Sequence, residues 1–369
     1  MTDTRNKEDG LAKARRILKE YDGPKVRIME VCGTHTHEIF RQGVRRLLSP
    51  KIEMISGPGC PVCVTDVTFI DEAISLALDH GCTIATFGDL VRVPGTKKSL
   101  QIARGEGAKI KVVYTPLDAV EYAKEHRDEQ VVFLAVGFET TTPSECLALS
   151  NAIEENLTNF SLLTANKTMP AAYEAMKDAT DLYLYPGHVH AIIGNQICED
   201  LVKEGVSGVV GGFTGREILT ALAIGVREFE KGKPFFKNCY PRVVTGEGSP
   251  QAMALVNEMM EPCDQQWRGI GLLKNSGMQL RSSYAAYDAR KKFDLSGIVG
   301  KPNPACRCGQ VLQGQIQPQD CPCFGTACTP EHPVGACMVS SEGACSAWYL
   351  YGELTSKPLT QSEDKLRLS

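Results

Sequence analysis

The sequence lacks any segment that would anchor it in a membrane or direct it out of the cell. No run approaches the roughly 20 consecutive apolar residues that a membrane-crossing helix needs, and residues 1–20 are charged, without the apolar stretch of a secretory signal. Neither charge sign dominates either, since 40 basic residues stand against 44 acidic ones and the formal net charge is -4. We therefore expect a cytoplasmic protein with no membrane and no nucleic-acid partner.

Cysteine, by contrast, is abundant, with 15 residues in a chain of 369. In a reducing compartment such a set is more typical of metal binding or catalysis than of a disulfide framework. The cysteines form two groups, one near the N-terminus and one in the C-terminal segment, and five others occur singly in apolar or helical stretches that are typical of small core residues. The first group is Cys32, Cys60 and Cys63, the second is Cys306, Cys308, Cys321, Cys323, Cys328, Cys337 and Cys345, and the single ones are Cys82, Cys146, Cys198, Cys239 and Cys263.

One sequence pattern repeats between residues 26 and 212. It consists of a run of β-branched residues, a Gly- or Pro-rich loop and an amphipathic helical stretch. This alternation predicts parallel sheets covered by helices on both faces. We expect an α/β fold with two doubly wound, Rossmann-like domains (residues 1–120 and 121–230) and a small Cys-rich C-terminal domain (231–369) that a metal holds together. The predicted strands are 26–31, 52–56, 83–87, 109–114, 131–136, 161–165, 182–185 and 208–210, and the predicted helices include 67–79, 119–126, 145–157, 191–203, 216–231 and 250–260.

The unusual loops of the chain all follow predicted strands. Ligands of open α/β sheets bind beyond the carboxyl ends of the strands, so we expect these loops to converge on a single cleft. The loops are 32–37, 57–63, 88–90, 137–143 and 186–190.

Cys60 and Cys63 have the two-residue spacing of redox dithiols and of half a zinc site. Thr65 or Asp66 can cap a helix just beyond them, and a helix N-terminus favours a thiolate. Zinc would need a second pair of ligands, for which Cys32 with a nearby histidine is a candidate. Functional redox chemistry, zinc binding and inert burial all remain open for this motif.

His35 and His37 follow Cys32 closely. In an extended segment, side chains two residues apart lie on the same side, and thiolate with imidazole suits iron, zinc or copper. The alternative is a loop histidine that is hydrogen-bonded to the backbone.

Two further loops carry polar candidates. Glu139 lies in a segment where Thr142 or Ser144 could simply cap the next helix, although a cap requires neither Gly137 nor Glu139. His188, in Pro-Gly-His, poses the same choice between a functional residue and a structural turn. The segment 211–216 resembles a loose phosphate-binding loop but lacks the lysine and the spacing of a P-loop.

The C-terminal cysteines give the stronger metal signal. Cys306, Cys321, Cys328 and Cys345 are separated by 14, 6 and 16 residues, in a proline-rich segment with little hydrophobic core of its own. Four such thiolates suit a [4Fe-4S] cluster or a four-thiolate zinc site. Cys308, Cys323 and Cys337 then remain as spare thiols, redox partners or alternative ligands.

Taken together, the motifs resemble those of the HypD family of [NiFe]-hydrogenase maturation factors. They are Cys32-Gly-Thr-His-Thr-His37, Gly57-Pro-Gly-Cys-Pro-Val-Cys63, Gly137-Phe-Glu-Thr-Thr141, Pro186-Gly-His188 and Cys337-Met-Val-Ser-Ser-Glu-Gly-Ala-Cys345. The resemblance implies a redox-active scaffold, rather than a conventional turnover enzyme, on which an Fe(CN)2CO unit is assembled with HypC and HypE before transfer to the hydrogenase large subunit.

The resemblance also implies roles for single residues. Cys32 would hold the iron together with a cysteine of HypC, and Cys60 and Cys63 would form a redox dithiol in the same cleft. His35, Glu139 and His188 would line the site. The [4Fe-4S] cluster would be held by Cys306, Cys321, Cys328 and Cys345.

Two other classes of function compete with the scaffold. One is a stand-alone thiol-disulfide oxidoreductase that receives electrons from an iron-sulfur cluster, and the other is a zinc-stabilised binding protein without redox function.

Overall fold

All eight predicted strands form, and four more join them. The computed structural model describes residues 4–356 of the chain, with side chains for 10–352. The strands are β1 (Val26–Glu30), β2 (Ile52–Ser56), β3 (Thr83–Thr86), β4 (Ile110–Val112), β5 (Val131–Ala135), β6 (Phe160–Thr164), β7 (Asn166–Lys167), β8 (Leu182–Pro186), β9 (Ser207–Gly211), β10 (Phe236–Asn238), β11 (Met260–Trp267) and β12 (Gly271–Leu280).

Each predicted helical stretch up to residue 260 contains a helix, and further helices form, among them one at residues 33–41 that was predicted as extended and three beyond residue 260. The stretch predicted as one helix over 191–203 is divided at Gly194, whose φ of 74° ends the first part. The helices are α1 (Thr4–Lys19), α2 (Gly33–Arg41), α3 (Pro61–Val64), α4 (Val67–Leu78), α5 (Leu100–Gly105), α6 (Pro116–Glu125), α7 (Thr142–Glu154), α8 (Met169–Met176), α9 (Gly187–Ile193), α10 (Gln196–Lys203), α11 (Gly215–Phe229), α12 (Pro250–Met259), α13 (Ala289–Lys292), α14 (Cys308–Leu312) and α15 (Ala344–Ser356). Six 3-10 segments lie between them, at Val44–Leu47, Gly88–Arg92, Lys177–Ala179, Ser282–Tyr287, Pro318–Asp320 and Ala336–Met338.

The first sheet has five parallel strands in the order β10-β9-β8-β1-β2. In their order along the chain this is 2-1-3-4-5, the order of doubly wound sheets such as flavodoxin. Alternate residues of the strands face opposite sides, as period-2 geometry requires. Ile28 packs with α1 and α11 on one face, whereas Met29 packs with the cysteine-rich segment on the other. Both faces of this sheet are therefore covered.

The second sheet has four parallel strands in the order β4-β3-β5-β6. Its strands also alternate between two cores: Val132 and Leu134 belong to one, and Val131 and Phe133 to the other. The fold is therefore α/β with two parallel sheets, as predicted.

The predicted divisions near residues 120 and 230 remain a prediction about folding units. Strand pairing joins residues across both points, because the chain begins in the first sheet, builds the whole second sheet with β3 to β6, and returns to the first with β8. Beyond residue 230, β10 adds to the edge of the first sheet.

A hairpin that the sequence did not predict lies after α12. β11 pairs antiparallel with β12, and β7 adds to the far side of β12, so this third sheet is antiparallel. Its exposure alternates along β11, but polar and charged residues occupy the half-exposed face and the hydrophobic contrast is weak. Trp267, at the end of β11, is fully buried.

The cysteine-rich C-terminal segment packs against both parallel sheets. Cys308 and Cys337 belong to the same core as Met29 of the first sheet, and Ala336 and Val339 belong to a core of the second. α15 packs on α2, with Trp348 edge-on to Phe40 at 5.1 Å between ring centroids. The segment therefore reaches the carboxyl ends of strands from both sheets.

Candidate functional site

The loops after β1 and β2 leave the sheet side by side. Glu30 and Ser56, the last residues of the two strands, are register partners, and the Gly33 N–H donates a 2.8 Å hydrogen bond to the carbonyl oxygen of Gly59. A Cβ on Gly59 would lie 2.0 Å from the backbone nitrogen of Cys32, so only glycine permits this approach. The loop that carries Cys60 therefore contacts Cys32 directly, as the sequence predicts.

Cys32 is the N-cap residue of α2, in an extended conformation, and is buried. Its Sγ lies 3.8 Å from Nε2 of His188, which α9 presents from the end of β8. Burial, reinforced by the Glu342 carboxylate, raises the pKa of the Cys32 thiol to about 12. The free thiol is therefore protonated at neutral pH and would release its proton on binding a metal ion.

An aromatic ring connects the two histidines of this site. Phe213 stacks on His35 and on His188, with 4.7 Å between ring centroids in both pairs. Burial lowers the pKa of each histidine to about 4, so both rings are neutral. We call the group formed by Cys32, His35, His188 and Phe213 the Cys32 pocket.

The tautomer of His35 follows from its hydrogen bond. Its Nε2 lies 2.8 Å from the carbonyl oxygen of Gly212, and because a carbonyl can only accept, Nε2 carries the proton. Nδ1 of the neutral ring is then an acceptor, and it is buried without a hydrogen-bond partner in the part of the chain that the structure describes. This nitrogen is available to a group bound in the pocket.

The expectation that His35 and His37 share one side of an extended segment is wrong. Both lie in α2, where residues two apart differ by about 200° around the axis. His37 is only partly buried and packs on other residues, with Nδ1 3.1 Å from the Ser341 carbonyl oxygen and the ring edge-on to Tyr351. The prediction assumed an extended segment after Cys32, but Cys32 is the N-cap residue of α2 and the helix begins at the next residue.

Cys60 and Cys63 are both buried at the first turn after β2. Cys60 is the N-cap of α3, and its sulfur accepts a 3.3 Å hydrogen bond from the backbone N–H of Cys63. The predicted cap beyond them is Asp66, whose carboxylate accepts from the Thr68 N–H at the start of α4. The expected lowering of thiol pKa does not hold for Cys63, because burial and the neighbouring sulfurs of Cys337 and Cys60 raise its pKa.

The neighbouring sulfur of Cys63 comes from the C-terminal segment. Cys337 lies within hydrogen-bonding range of Cys63, Cys308 and Cys345, and it is fully buried. As the shared acceptor at the centre of these thiols, Cys337 has its pKa lowered, whereas the pKa of Cys63 and of Cys345 is raised. Cys63 and Cys337 also belong to the same hydrophobic core, so the pair after β2 lies beside the C-terminal cysteines.

The other C-terminal thiols continue this arrangement. The sulfurs of Cys306 and Cys308 are 2.9 Å apart, and a Cβ on Gly335 would lie 2.4 Å from each of them. Cys328 accepts from the Val334 N–H at 3.3 Å, and Cys323 lies beside Cys321. We use the name tail sulfur cluster for the seven C-terminal cysteines, which are Cys306, Cys308, Cys321, Cys323, Cys328, Cys337 and Cys345. Among the side chains that the structure describes, residues 10–352, no three His, Cys, Asp or Glu groups surround a single point as ligands of one metal ion do.

Glu139 lies at the end of β5, on the second sheet. One carboxylate oxygen accepts a 2.8 Å hydrogen bond from the Met169 N–H, and the other is buried without a partner among the described residues. Burial raises the pKa of Glu139 to about 7. The phenol of Tyr173 interacts electrostatically with both Glu139 and Cys32.

Residues 337–342 contact the loops that follow β1, β2 and β3. The sequence predicts only that these loops lie at the carboxyl ends of their strands. Glu342 accepts a 2.6 Å hydrogen bond from Thr34, after β1, and Ser340 donates a 2.7 Å hydrogen bond to Asp89, after β3. Cys337 contacts Cys63, after β2. The loops do converge, but a segment of the C-terminal region brings them together.

Sequence reasoning missed Phe213 in this site. Phe213 lies in the segment that resembles a loose phosphate loop, and its actual neighbours are histidine rings. Cys308 and Cys337 are predicted from the sequence only as spare thiols, redox partners or alternative ligands, and in the structure both take part in the sulfur contacts around Cys337. The spacing of cysteines shows which residues can be ligands, but it does not show which of them lies nearest to another loop.

A family model described as "HypD: Hydrogenase formation hypA family" matches residues 9–352. The chain belongs to the HypD family. It is 40% identical over 352 residues to the hydrogenase maturation factor HypD of Azotobacter vinelandii, which covers 92% of this chain and 93% of that protein. It is 42% identical over 342 residues to the HypD of Rhizobium leguminosarum bv. viciae, 89% of each protein. A putative hydrogenase expression/formation protein of Methanocaldococcus jannaschii is 40% identical over 334 residues, 89% of this chain and 92% of that protein.

Family membership confirms the resemblance drawn from the motifs and establishes the chain as a hydrogenase maturation factor. Its function therefore involves the maturation machinery. Among the residues that the structure describes, no helix combines the length and the apolar character that a membrane crossing requires.

Proposed function

We propose that this HypD-family chain is the cytoplasmic scaffold and redox component on which the Fe(CN)2CO unit of [NiFe]-hydrogenase is assembled. A HypC-type chaperone and a HypE-type cyanide donor would work with it, and the hydrogenase large subunit would receive the finished unit. The observation that carries the proposal is the contact of the Cys32 loop with the Cys60 loop, together with the contact between Cys63 and Cys337.

Cys32 is the proposed ligand of the cargo iron. Low-spin Fe(II) with diatomic ligands is a soft ion, and thiolate is its natural partner in proteins. His188 offers a ring nitrogen 3.8 Å from the sulfur. His35, which shares Phe213 with His188, and Glu139, which we propose to line the same site, each have a buried atom without a partner among the described side chains. These groups are suited to orienting polar diatomic ligands.

The pocket must open for the cargo to reach Cys32. The side chain is only 2% exposed, and the Glu342 contact to Thr34 covers the start of α2. A second thiolate, from the HypC-type partner, would enter when this contact separates. The two partners are therefore expected to bind at the edge formed by α2 and residues 337–342.

The tail sulfur cluster has the donor set that a [4Fe-4S] cluster needs. Cys306, Cys321, Cys328 and Cys345 are the proposed ligands, and a Cβ on Gly335 would fill the space beside the Cys306 sulfur. Such a cluster supplies electrons one at a time at a low potential. Three of the four ligands come from short turns and the fourth, Cys345, from the start of α15, so bound metal would join these segments and contribute folding energy.

Cys308 and Cys337 are then not spare thiols. Cys308 contacts Cys306, and Cys337 contacts both Cys308 and Cys63, so they lie between the proposed ligands and the dithiol. Thiol-disulfide exchange requires direct contact between the attacking sulfur and the disulfide. We assign Cys337 as the residue that exchanges with Cys63.

The same sulfur contacts also favour one alternative, a thiol-disulfide oxidoreductase without iron cargo. The two functions differ at Cys32, which such an enzyme would not need. The decisive experiment is an anaerobic infrared spectrum of this chain purified together with a HypC-type partner. Cyanide and carbonyl stretching bands support the scaffold, and their absence from a preparation that still reduces disulfides would select the oxidoreductase.

A further inference from the structure

A groove runs along the face where the C-terminal segment packs beside α5. It consists of two adjoining cavities of about 600 and about 330 Å³, whose shared wall includes Arg268 and Val334. The larger cavity reaches residues 96–99, before α5, and the smaller one is lined by Cys306 and Cys308. The groove therefore leads from the protein surface to the sulfur atoms of the tail sulfur cluster.

The groove is basic although the chain as a whole has a net charge of -4. Five cationic side chains line the two cavities, against one carboxylate, that of Glu331. One of the five, Lys98, forms an ion pair with Glu106. The lining cations are Arg92, Lys97, Lys98, Arg268 and Arg307.

Two of these arginines are held in place by main-chain atoms. Arg92 donates to the carbonyl oxygen of Pro330 at 2.9 Å, and Arg268 donates to that of Thr65 at 2.7 Å. These bonds orient the guanidinium groups without cancelling their charge. Lys97 and Arg307 are exposed at the two ends of the groove.

Apolar side chains complete the lining. Ile102 on α5 is 54% exposed, and Pro302, Pro333 and Val334 lie across from it. An apolar floor inside a charged rim is the usual composition of a protein-protein contact. A small interface of this kind is typical of transient electron-transfer complexes.

The position of the groove indicates what such a partner would do. Cys60, Cys63 and Cys337 are fully or almost fully buried, whereas Cys306 is only partly buried and lines the groove. Electrons from outside the protein can therefore reach a sulfur atom of the tail through the groove. Arg268 interacts electrostatically with Cys306, and Arg307 with Cys323, so the positive charge lies beside the point of entry.

We propose that this groove is the docking site of a small acidic protein that carries one electron at a time. The inference rests on the proposed function, because it supplies the reductant which that function requires. Two reduced carrier molecules would each lose one electron, and the Cys60–Cys63 disulfide would take up two electrons and two protons to form two thiols. The carrier binds, leaves and is replaced, which suits a contact governed by charge.

The test uses a reduced bacterial-type ferredoxin as the acidic probe and the full chain with its metal. The variant Lys97→Glu/Arg307→Glu reverses the charge at both ends of the groove. The matched control Lys203→Glu/Arg227→Glu changes one lysine on α10 and one arginine on α11, two helices that pack on the first sheet. Association rates are measured by stopped flow at 50 mM and 500 mM NaCl, and thermal unfolding verifies that both variants fold.

We expect the groove variant to associate at least about tenfold more slowly than the wild type at low salt, and the difference to shrink at high salt because exposed charges are screened. The control should stay within about twofold of the wild type. Equal rates for the wild type and the groove variant, or equal losses in both variants, would overturn the proposal. The proposal would also be overturned if the wild type were a dimer and the groove variant a monomer, since a second copy of the chain would then occupy the groove.

The groove variant keeps Cys32 and all cysteines, so its cyanide and carbonyl bands should be unchanged when the dithiol is reduced chemically. Loss of docking with intact bands supports the groove. If the groove variant keeps its infrared bands and binds the carrier as fast as the wild type, only the docking proposal is rejected. If the wild type itself shows no bands, the proposed function is rejected.

Discussion

The Cys32 pocket and the tail sulfur cluster are built in opposite ways. Cys32 and His188 lie where regular strands of one sheet end and helices begin, and a glycine-dependent backbone contact fixes the spacing of the neighbouring loops. The tail sulfurs come from turns and helices of three to five residues, apart from Cys345 on α15. The pocket is preorganised by regular strands and helices, whereas the tail sulfurs are held by short segments that pack on the two sheets.

This difference predicts how substitutions in each region affect metal binding and folding. A substitution in the pocket should remove a ligand and leave the frame intact, because the strands and helices do not depend on the side chain. Substitution of a proposed cluster ligand in the tail should alter both metal binding and folding, because bound metal contributes folding energy in addition to the packing of the tail on the two sheets. Five predictions follow the contrast from the largest expected effect to the smallest.

Cys32→Ala should abolish binding of the cargo iron, because it removes the only thiol of the Cys32 pocket. The cyanide and carbonyl infrared bands should disappear from protein co-purified with a HypC-type partner, while visible absorption from the tail remains. Cys239→Ala, at a partly buried cysteine next to β10, serves as the control. Simultaneous loss of bands and of visible absorption would show that the two regions form one site.

Cys328→Ala should remove the visible absorption of the [4Fe-4S] cluster and lower the thermal unfolding temperature by several degrees. The reason is that a ligand and its contribution to folding are lost together. Anaerobic absorption spectra, iron analysis and thermal melts of this variant are compared with those of Cys323→Ala. Unchanged absorption in Cys328→Ala, with loss in Cys323→Ala, would transfer the ligand role to Cys323.

Cys337→Ala should separate the two regions without destroying either one. It removes the sulfur that contacts Cys63, Cys308 and Cys345, so reduction of the Cys60–Cys63 disulfide should slow by at least about tenfold while the cluster absorption stays. The rate is followed by thiol alkylation after addition of a reductant that acts on the tail. Cys198→Ala is the matched buried control, and an equal rate in both variants would contradict the relay.

The pocket could be predicted from the sequence to a greater extent than the tail could. All eight predicted strands formed because β-branched runs bounded by glycine and proline are strong local signals, and parallel strands place their ends at one edge. The contact of Cys32 with the Cys60 loop follows from that rule. The helix at His35 was missed because the N-cap is a cysteine, which makes no side-chain cap hydrogen bond.

The other features of the fold and the site depend on contacts between residues that are distant in sequence. The spacing of the C-terminal cysteines suggested ligands but not the central position of Cys337, whose neighbour Cys63 lies more than 270 residues away. The β11–β12 hairpin was missed because its half-exposed face shows little hydrophobic alternation. The return of the chain to the first sheet at β8 is likewise invisible to local patterns.

Glu139→Gln should flatten the pH dependence of stability. The pKa of this carboxyl group is about 7 in the folded protein, above its unfolded value, so its contribution to stability is complete below about pH 4.5 and is lost as the pH rises through 7. Removing it should reduce the fall in unfolding free energy between pH 5 and 8 by at most about 3 kcal/mol. Denaturant titrations at four pH values, with the exposed Glu121→Gln as control, measure the difference, and parallel curves for Glu139→Gln and the wild type would contradict it.

His37→Ala should have the smallest effect, and it tests whether helical geometry decides which histidine belongs to the Cys32 pocket. The His35 ring is fully buried and stacks on Phe213, whereas His37 packs on Ser341 and Tyr351. Cargo binding, measured by the intensity of the infrared bands, should therefore change by less than about twofold in His37→Ala and fall by tenfold or more in His35→Ala. Equal losses in the two variants would mean that both rings reach the iron, which α2 permits only if its first turn unwinds when the cargo binds.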